Sequence, residues 1–169
     1  AGGYVTYEPA SGQYTLPDEH ALALADEESA CFLPGAFQGI AAGFAANPKI
    51  EQRFKTGKGL GWDQHDPQLF VGTERFFRPN YVGNLITGWI PALDGIEAKL
   101  KQGITVADVG CGFGASTILM AKAFPNSTFF GFDYHGPSIK AAKQRAKQSG
   151  VTNVSFKVAK STNFPGKGY

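Results

Sequence analysis

Apolar and polar positions fall into two regimes along the chain. From about residue 104 onward, apolar runs of strand length alternate with amphipathic stretches of helix length. Ile104–Val109, Thr128–Phe132 and Val154–Val158 are β-branched and aromatic, as strands are. Ser116–Phe124 and Pro137–Lys147 lie between them and read as helices, the second with Ile139, Ala142 and Ala146 on one stripe. Strand and helix in strict alternation predict a parallel α/β sheet, here as β-α-β-α-β. Before residue 95 the pattern is mainly helical. Gly3–Tyr7 and Gln13–Leu16 around the turn Glu8–Gly12 predict a β-hairpin, and Pro17 with two acids opens a helix. Phe32–Ala46 is apolar and glycine-interrupted, and predicts helices packed on a partner surface. Lys55–Trp62 reads as a loop, and Asp66–Pro79 and Asn84–Leu93 as further helical stretches. The expected fold is thus the first half of a doubly wound, mostly parallel sheet, preceded by a mainly helical cap with an N-terminal hairpin. The corresponding segments are residues 1–25, 26–94 and 95–169.

The stretch between the first predicted strand and its helix carries the candidate chemistry. It reads Val106-Ala-Asp-Val-Gly-Cys-Gly-Phe-Gly114. Three alternate glycines make a turn whose backbone, rather than side chains, faces a ligand. The second strand ends on Asp133, roughly twenty-odd residues past the first glycine, where a carboxylate can accept from a ribose diol. Together these features predict a nucleoside-containing cofactor. A dinucleotide fingerprint would read G-x-G-x-x-G, cradling a pyrophosphate. Here the pattern is D-x-G-x-G-x-G followed by Ala115-Ser116, so the last glycine of that fingerprint is missing and an acid stands two residues ahead of the first glycine.

The D-x-G-x-G-x-G segment resembles the first cofactor motif of the Rossmann-like, S-adenosylmethionine-dependent methyltransferases. Phe130-Gly-Phe-Asp-Tyr-His-Gly-Pro-Ser-Ile-Lys-Ala-Ala-Lys143 resembles that family's second motif. The resemblance implies S-adenosylmethionine as cofactor and methyl transfer as activity. It implies that Gly110, Gly112 and Gly114 admit the cofactor to the backbone and that Asp133 takes the ribose hydroxyls. Asp108 would lie near the cofactor's cationic end or hold the loop. Tyr134 would pack on the adenine or remain a surface aromatic. One departure is Lys160, at about the place where many members carry an acid against the adenine amino group. Lysine has no acceptor, so that contact would fall to backbone groups or Ser161. The hairpin followed by a Pro-led helix is similar to the wing of a winged-helix module, which in several methyltransferase families serves dimerisation.

Composition narrows the alternatives. The chain has 169 residues, 43% hydrophobic and 18% charged, a globular balance, and no apolar run approaches the ~20 residues of a membrane span. Cys31 and Cys111 lack metal-ligand spacing and are expected to be free thiols, consistent with a cytoplasmic protein. The net charge of +2 is uneven. Residues 1–94 hold six Lys/Arg against eleven Asp/Glu, and residues 95–169 hold ten against three. A basic half can signal nucleic acid. Lys140, Lys143, Arg145 and Lys147, however, sit opposite the apolar stripe of their helix as a solvated face, and no interleaved aromatics offer base stacking. The expected partners are therefore a small-molecule acceptor and, through the N-terminal region, a second copy; nucleic acid and membrane are not expected. His20 is read as an exposed first-turn residue, His65 as structural or surface, His135 as a helix cap and the Phe76–Tyr81 cluster as packing, so no catalytic residue and no metal ligand is assigned.

The chain also reads as a piece of a longer protein: it starts without Met and stops soon after its third strand. In the order 3-2-1-4-5 the strand at 104–109 would be central, so this piece is expected to expose it as an edge, to self-associate and to be inactive alone. The expectation is an S-adenosylmethionine-dependent methyltransferase. The alternatives are a non-catalytic cofactor-sensing or dimerisation module and a nicotinamide-dependent oxidoreductase.

Overall fold

A computed structural model describes residues 2–169, which form two compact units, the first ending at Pro79 and the second starting at Asn80. The first unit begins with the predicted hairpin: β1 (Thr6–Glu8) pairs antiparallel with β2 (Gln13–Thr15), Tyr7 facing Tyr14 with ring centroids 4.8 Å apart. Helices α1 (Asp18–Leu24), α2 (Pro34–Ala45), α3 (Asn47–Thr56) and α4 (Pro67–Asn80) follow. α2 and α4 cross closely because glycine faces backbone at the crossing. A Cβ on Gly35 would stand 2.4 Å from the Phe76 nitrogen, and one on Gly72 would stand 2.6 Å from the Gly39 nitrogen. Arg75 and Arg78 fix this corner with ion pairs to Glu27 (2.5 Å) and Glu28 (2.8 Å), and Arg75 also lies over the Phe32 ring.

The second unit opens with a π-helical stretch, Tyr81–Trp89. Its wider turn shows in the bond from Ile90 N–H to the Leu85 carbonyl, five residues back. Asn84 Nδ2 and Thr87 Oγ1 donate to the carbonyls of Asn80 and Gly83, the side-chain back-bonding that loosens a helical ladder. After α5 (Ile96–Gln102) come β3 (Thr105–Val109), α6 (Ala115–Ala123), β4 (Thr128–Asp133), α7 (Gly136–Gln148) and β5 (Val154–Val158). The three strands form a parallel sheet in the order β3-β4-β5. Among the described residues β3 is therefore an edge.

One face of β4 buries Phe129 with Leu100, Ala121, Phe124 and Ile90. A second cluster joins Cys111 and Ile118 to Ile139, Ala142 and Ala146 of α7 and to Phe156 of β5. The apolar stripe expected on α7 is thus buried, while Lys140, Lys143 and Lys147 are exposed. On the other side of β4, Phe130 and Phe132 meet Phe164 and Tyr169. Asn153 ties the far ends of α6 and β4 together, its amide donating to the carbonyls of Ala121, Phe124 and Ser127. No helix of the described residues is long and apolar enough to cross a membrane.

Candidate cofactor site

The site forms where β3 and β4 end side by side. Parallel pairing sets Asp108 beside Gly131 and Val109 beside Phe132. The chain then leaves β3 through the glycine turn, tied back to β4 because Gly110 and Cys111 N–H both donate to the Phe132 carbonyl, at 2.7 and 3.0 Å. Gly110, Gly112 and Gly114 all have positive φ (84°, 54° and 79°), the left-handed region that side chains disfavour. The three differ in what surrounds them. A Cβ on Gly110 or Gly112 would meet nothing within 4 Å, whereas one on Gly114 would stand 2.7 Å from the Phe156 ring. Two of the expected glycines therefore border open space. The third faces the core and lets α6 pack close, the role that the last fingerprint glycine plays in dinucleotide folds.

Asp133 sits across this turn. Its Oδ2 accepts from Gly112 N–H at 3.0 Å and its Oδ1 accepts from His135 N–H at 2.8 Å. Each oxygen keeps a lone pair for a further donor. The carboxylate thus links the glycine turn to the start of α7 and is oriented before any ligand arrives. His135 Nδ1 lies 2.7 Å from the buried Ser138 hydroxyl, which fixes the ring at the helix start. Tyr134, next along from Asp133, is 44% exposed.

Asp108 does different work. Its Oδ2 accepts from Ser116 Oγ (2.8 Å) and from the fully buried Thr117 Oγ1 (2.6 Å), both in the first turn of α6. Of its two expected roles, this geometry displays loop anchoring. Its charge also reaches two neighbours: Tyr81, at the start of the π-helical stretch, has its pKa raised by burial first and by Asp108 second. The Cys111 thiol is pushed up to about 12, by burial above all and then by Asp108 and Asp133. At neutral pH this thiol is protonated and a poor nucleophile. The sequence gives Tyr81 a packing role only and Ser116, Thr117 and Phe156 no role at this site. Ser and Thr in a helix's first turn are a detectable signal, but the Tyr81 and Phe156 positions depend on tertiary approach.

Lys160 is exposed and opens the turn after β5, its carbonyl accepting from Asn163 N–H at 3.1 Å. His65 packs near Trp62 (5.9 Å), and His20 Nδ1 lies 2.9 Å from the Tyr4 carbonyl oxygen. Among the described residues no three His, Cys, Asp or Glu side chains cluster as a metal site would need.

Comparison with known proteins bears on this half of the chain first. The family described as "Methyltransferase domain" matches residues 100–169. A tRNA (guanine-N(7)-)-methyltransferase of Shewanella halifaxensis is 38% identical over 63 residues, which cover 37% of this chain and 27% of the relative. Two solved structures share the fold. An O-methyltransferase family protein from Burkholderia thailandensis superposes with a TM-score of 0.61 at 14% identity, covering 93% of this chain and 46% of that one. PigF, solved with SAH, gives a TM-score of 0.61 at 18% identity, covering 97% and 51%. The chain thus matches about a quarter of the curated relative's length and about half of each solved structure. The α/β, Rossmann-like fold is the one expected, and residues 100–169 match the methyltransferase-domain family.

One expectation is corrected. Nucleic acid was not expected as a partner, and the tRNA methyltransferase relatives, in Shewanella halifaxensis and in Botryotinia fuckeliana, overturn that exclusion. The physical reason is that a solvated cationic face, such as Lys140, Lys143 and Lys147 on α7, is equally what a phosphate backbone requires. Exposure could not distinguish the two.

Proposed function

We propose that this chain supplies the cofactor-binding part of an S-adenosylmethionine-dependent methyltransferase. The observation that carries the reading is the Asp133 carboxylate, held by Gly112 and His135 N–H groups across a glycine turn open at Gly110 and Gly112. In this reading Asp133 receives the ribose hydroxyls, and the turn from Gly110 to Gly114 lets a ligand approach the backbone. Asp108 holds the α6 end of the turn through Ser116 and Thr117, and Tyr134 offers an exposed ring beside the ribose acid. S-adenosylmethionine would supply a sulfonium-bound methyl group for in-line displacement. The protein's share is position and electrostatics.

Calorimetric titration with S-adenosylmethionine, its demethylated product and NAD tests the cofactor. Heat with the first two is expected, and heat with NAD alone overturns the reading. Asp133→Ala should weaken binding by about 1.5–3 kcal/mol, the scale of hydrogen bonds to a charged group. For the acceptor, the curated relatives support a nucleic-acid guanine. Transfer of a labelled methyl group to unmodified tRNA, by the longest available form of the protein, tests it. A parallel arm with small phenols and carboxylic acids would return a small-molecule acceptor instead.

A further inference from the structure

The C-terminal end of α3 and the loop after it form a cleft of about 330 Å³, lined by Ile50, Arg53, Phe54, Lys58 and Leu60 among others. That volume is at the lower end of small-ligand sites. Phe54 is 85% exposed, more than any other large apolar side chain described. The charges around it are unusual for their setting. Residues 49–58 hold four Lys/Arg against one acid, within a stretch, residues 1–94, where acids outnumber bases eleven to six. Lys55 pairs with that acid, Glu51. Among the described residues no carboxylate pairs with Lys49, Arg53 or Lys58. Lys49 and Arg53 are instead held by neutral oxygens of Gln64, at 2.6 and 3.4 Å. Gly57 (φ 66°) turns the chain out of α3, and neither it nor Gly59 has a neighbour within 4 Å of a Cβ position, so the mouth is open.

A solvated aromatic ring beside cations that have no carboxylate partner is the arrangement with which proteins hold single-stranded nucleic acid: the ring stacks a base and the cations take phosphates. We propose that the Phe54 cleft binds unpaired nucleotides of RNA, with Phe54 as the stacking platform and Arg53 and Lys58 on the phosphates. The proposal rests on the nucleic-acid reading of the acceptor and gives it a docking point in residues 1–79, in a different unit from the cofactor turn.

The test is fluorescence anisotropy with a labelled twelve-nucleotide oligo(U) and a twelve-base-pair RNA duplex, without cofactor, on the 169-residue chain. Oligo(U) should bind better than the duplex. Phe54→Ala should weaken it about tenfold and Phe54→Trp should preserve it. Arg53→Ala and Lys58→Ala should each flatten the dependence of log affinity on log salt by about 0.7. S-adenosylmethionine titration of the same variants should be unchanged, so a failed cofactor reading and a failed RNA reading give different results. Absence of oligo(U) binding, indifference to Phe54→Ala, equal binding of the duplex, or preference for an acidic peptide over oligo(U) would each overturn it.

Discussion

In residues 80–169, Phe124, Phe129, Phe132 and Phe156 are all at most 4% exposed around a three-stranded sheet, Phe132 among other rings and the rest with aliphatic partners. Residues 1–79 treat the same residue type differently. Phe37, Phe44 and Phe54 are 58, 70 and 85% exposed, and the buried apolar set there comprises Phe32, Ala42, Ala46 and Phe70. Residues 80–169 leave no phenylalanine among their exposed side chains, while residues 1–79 hold themselves through a glycine crossing and arginine ion pairs and leave phenylalanine rings in water. The lesson is that aromatic content gives no measure of core size until burial is known.

The sharpest way to break this contrast is to delete a ring from each side. Phe156→Ala should destabilise the unit that contains it by about 3–5 kcal/mol, the usual cost of a buried phenyl group, read as a urea midpoint shift. A loss below 1 kcal/mol would mean that the sheet does not depend on that ring. Next in size is Asp108→Ala, which strips the acceptor from Ser116 and the buried Thr117. A loss of about 1–3 kcal/mol is expected from the orphaned hydroxyl, and Thr117→Val in the same background should restore part of it. If the double variant is no better, Asp108 is not serving Thr117.

A smaller effect depends on pH. Below about 8.5 the Cys111 thiol is protonated in folded and unfolded chains alike. Above that, the unfolded chain loses the proton while the folded one keeps it up to about 12. The unfolded state then binds fewer protons, so stability falls as pH rises through that window. Cys111→Ala should show a shallower decline between pH 9 and 11 in thermal midpoint; identical slopes would place the thiol in water. Smallest is Phe44→Ser on the exposed side of α2, expected within about 0.5 kcal/mol of the parent. A large loss there would show that the ring is covered in solution.

The sheet was legible because its strands read as short β-branched and aromatic runs, the middle one buried on both faces at Phe129 and Phe132, and because Gly and Asp punctuate their ends. Asp133 and the three glycines could be placed from that alternation alone. α3 was not, since Asn47–Thr56 is mostly polar and buries no residue. The helical reading of 84–93 holds in kind for 84–89, with a turn from Ile90, and nothing local announced the wider π turn. The uneven roles of the glycines were hidden for a related reason: Gly112 and Gly114 look alike in a motif, and only the approach of Phe156 separates them.

Phe156 lies against two glycines at once. A Cβ on Gly131 would stand 2.3 Å from its ring, and one on Gly114 2.7 Å. The flat ring therefore works as a shim between the middle strand and the root of the glycine turn, its thickness setting how high the turn rides above the sheet. Asp133 rises from the same strand, so the gap it spans to Gly112 is gauged by a side chain buried beneath both. A bulkier or thinner residue at 156 would change the calibre of the cradle with every residue lining it left as it is.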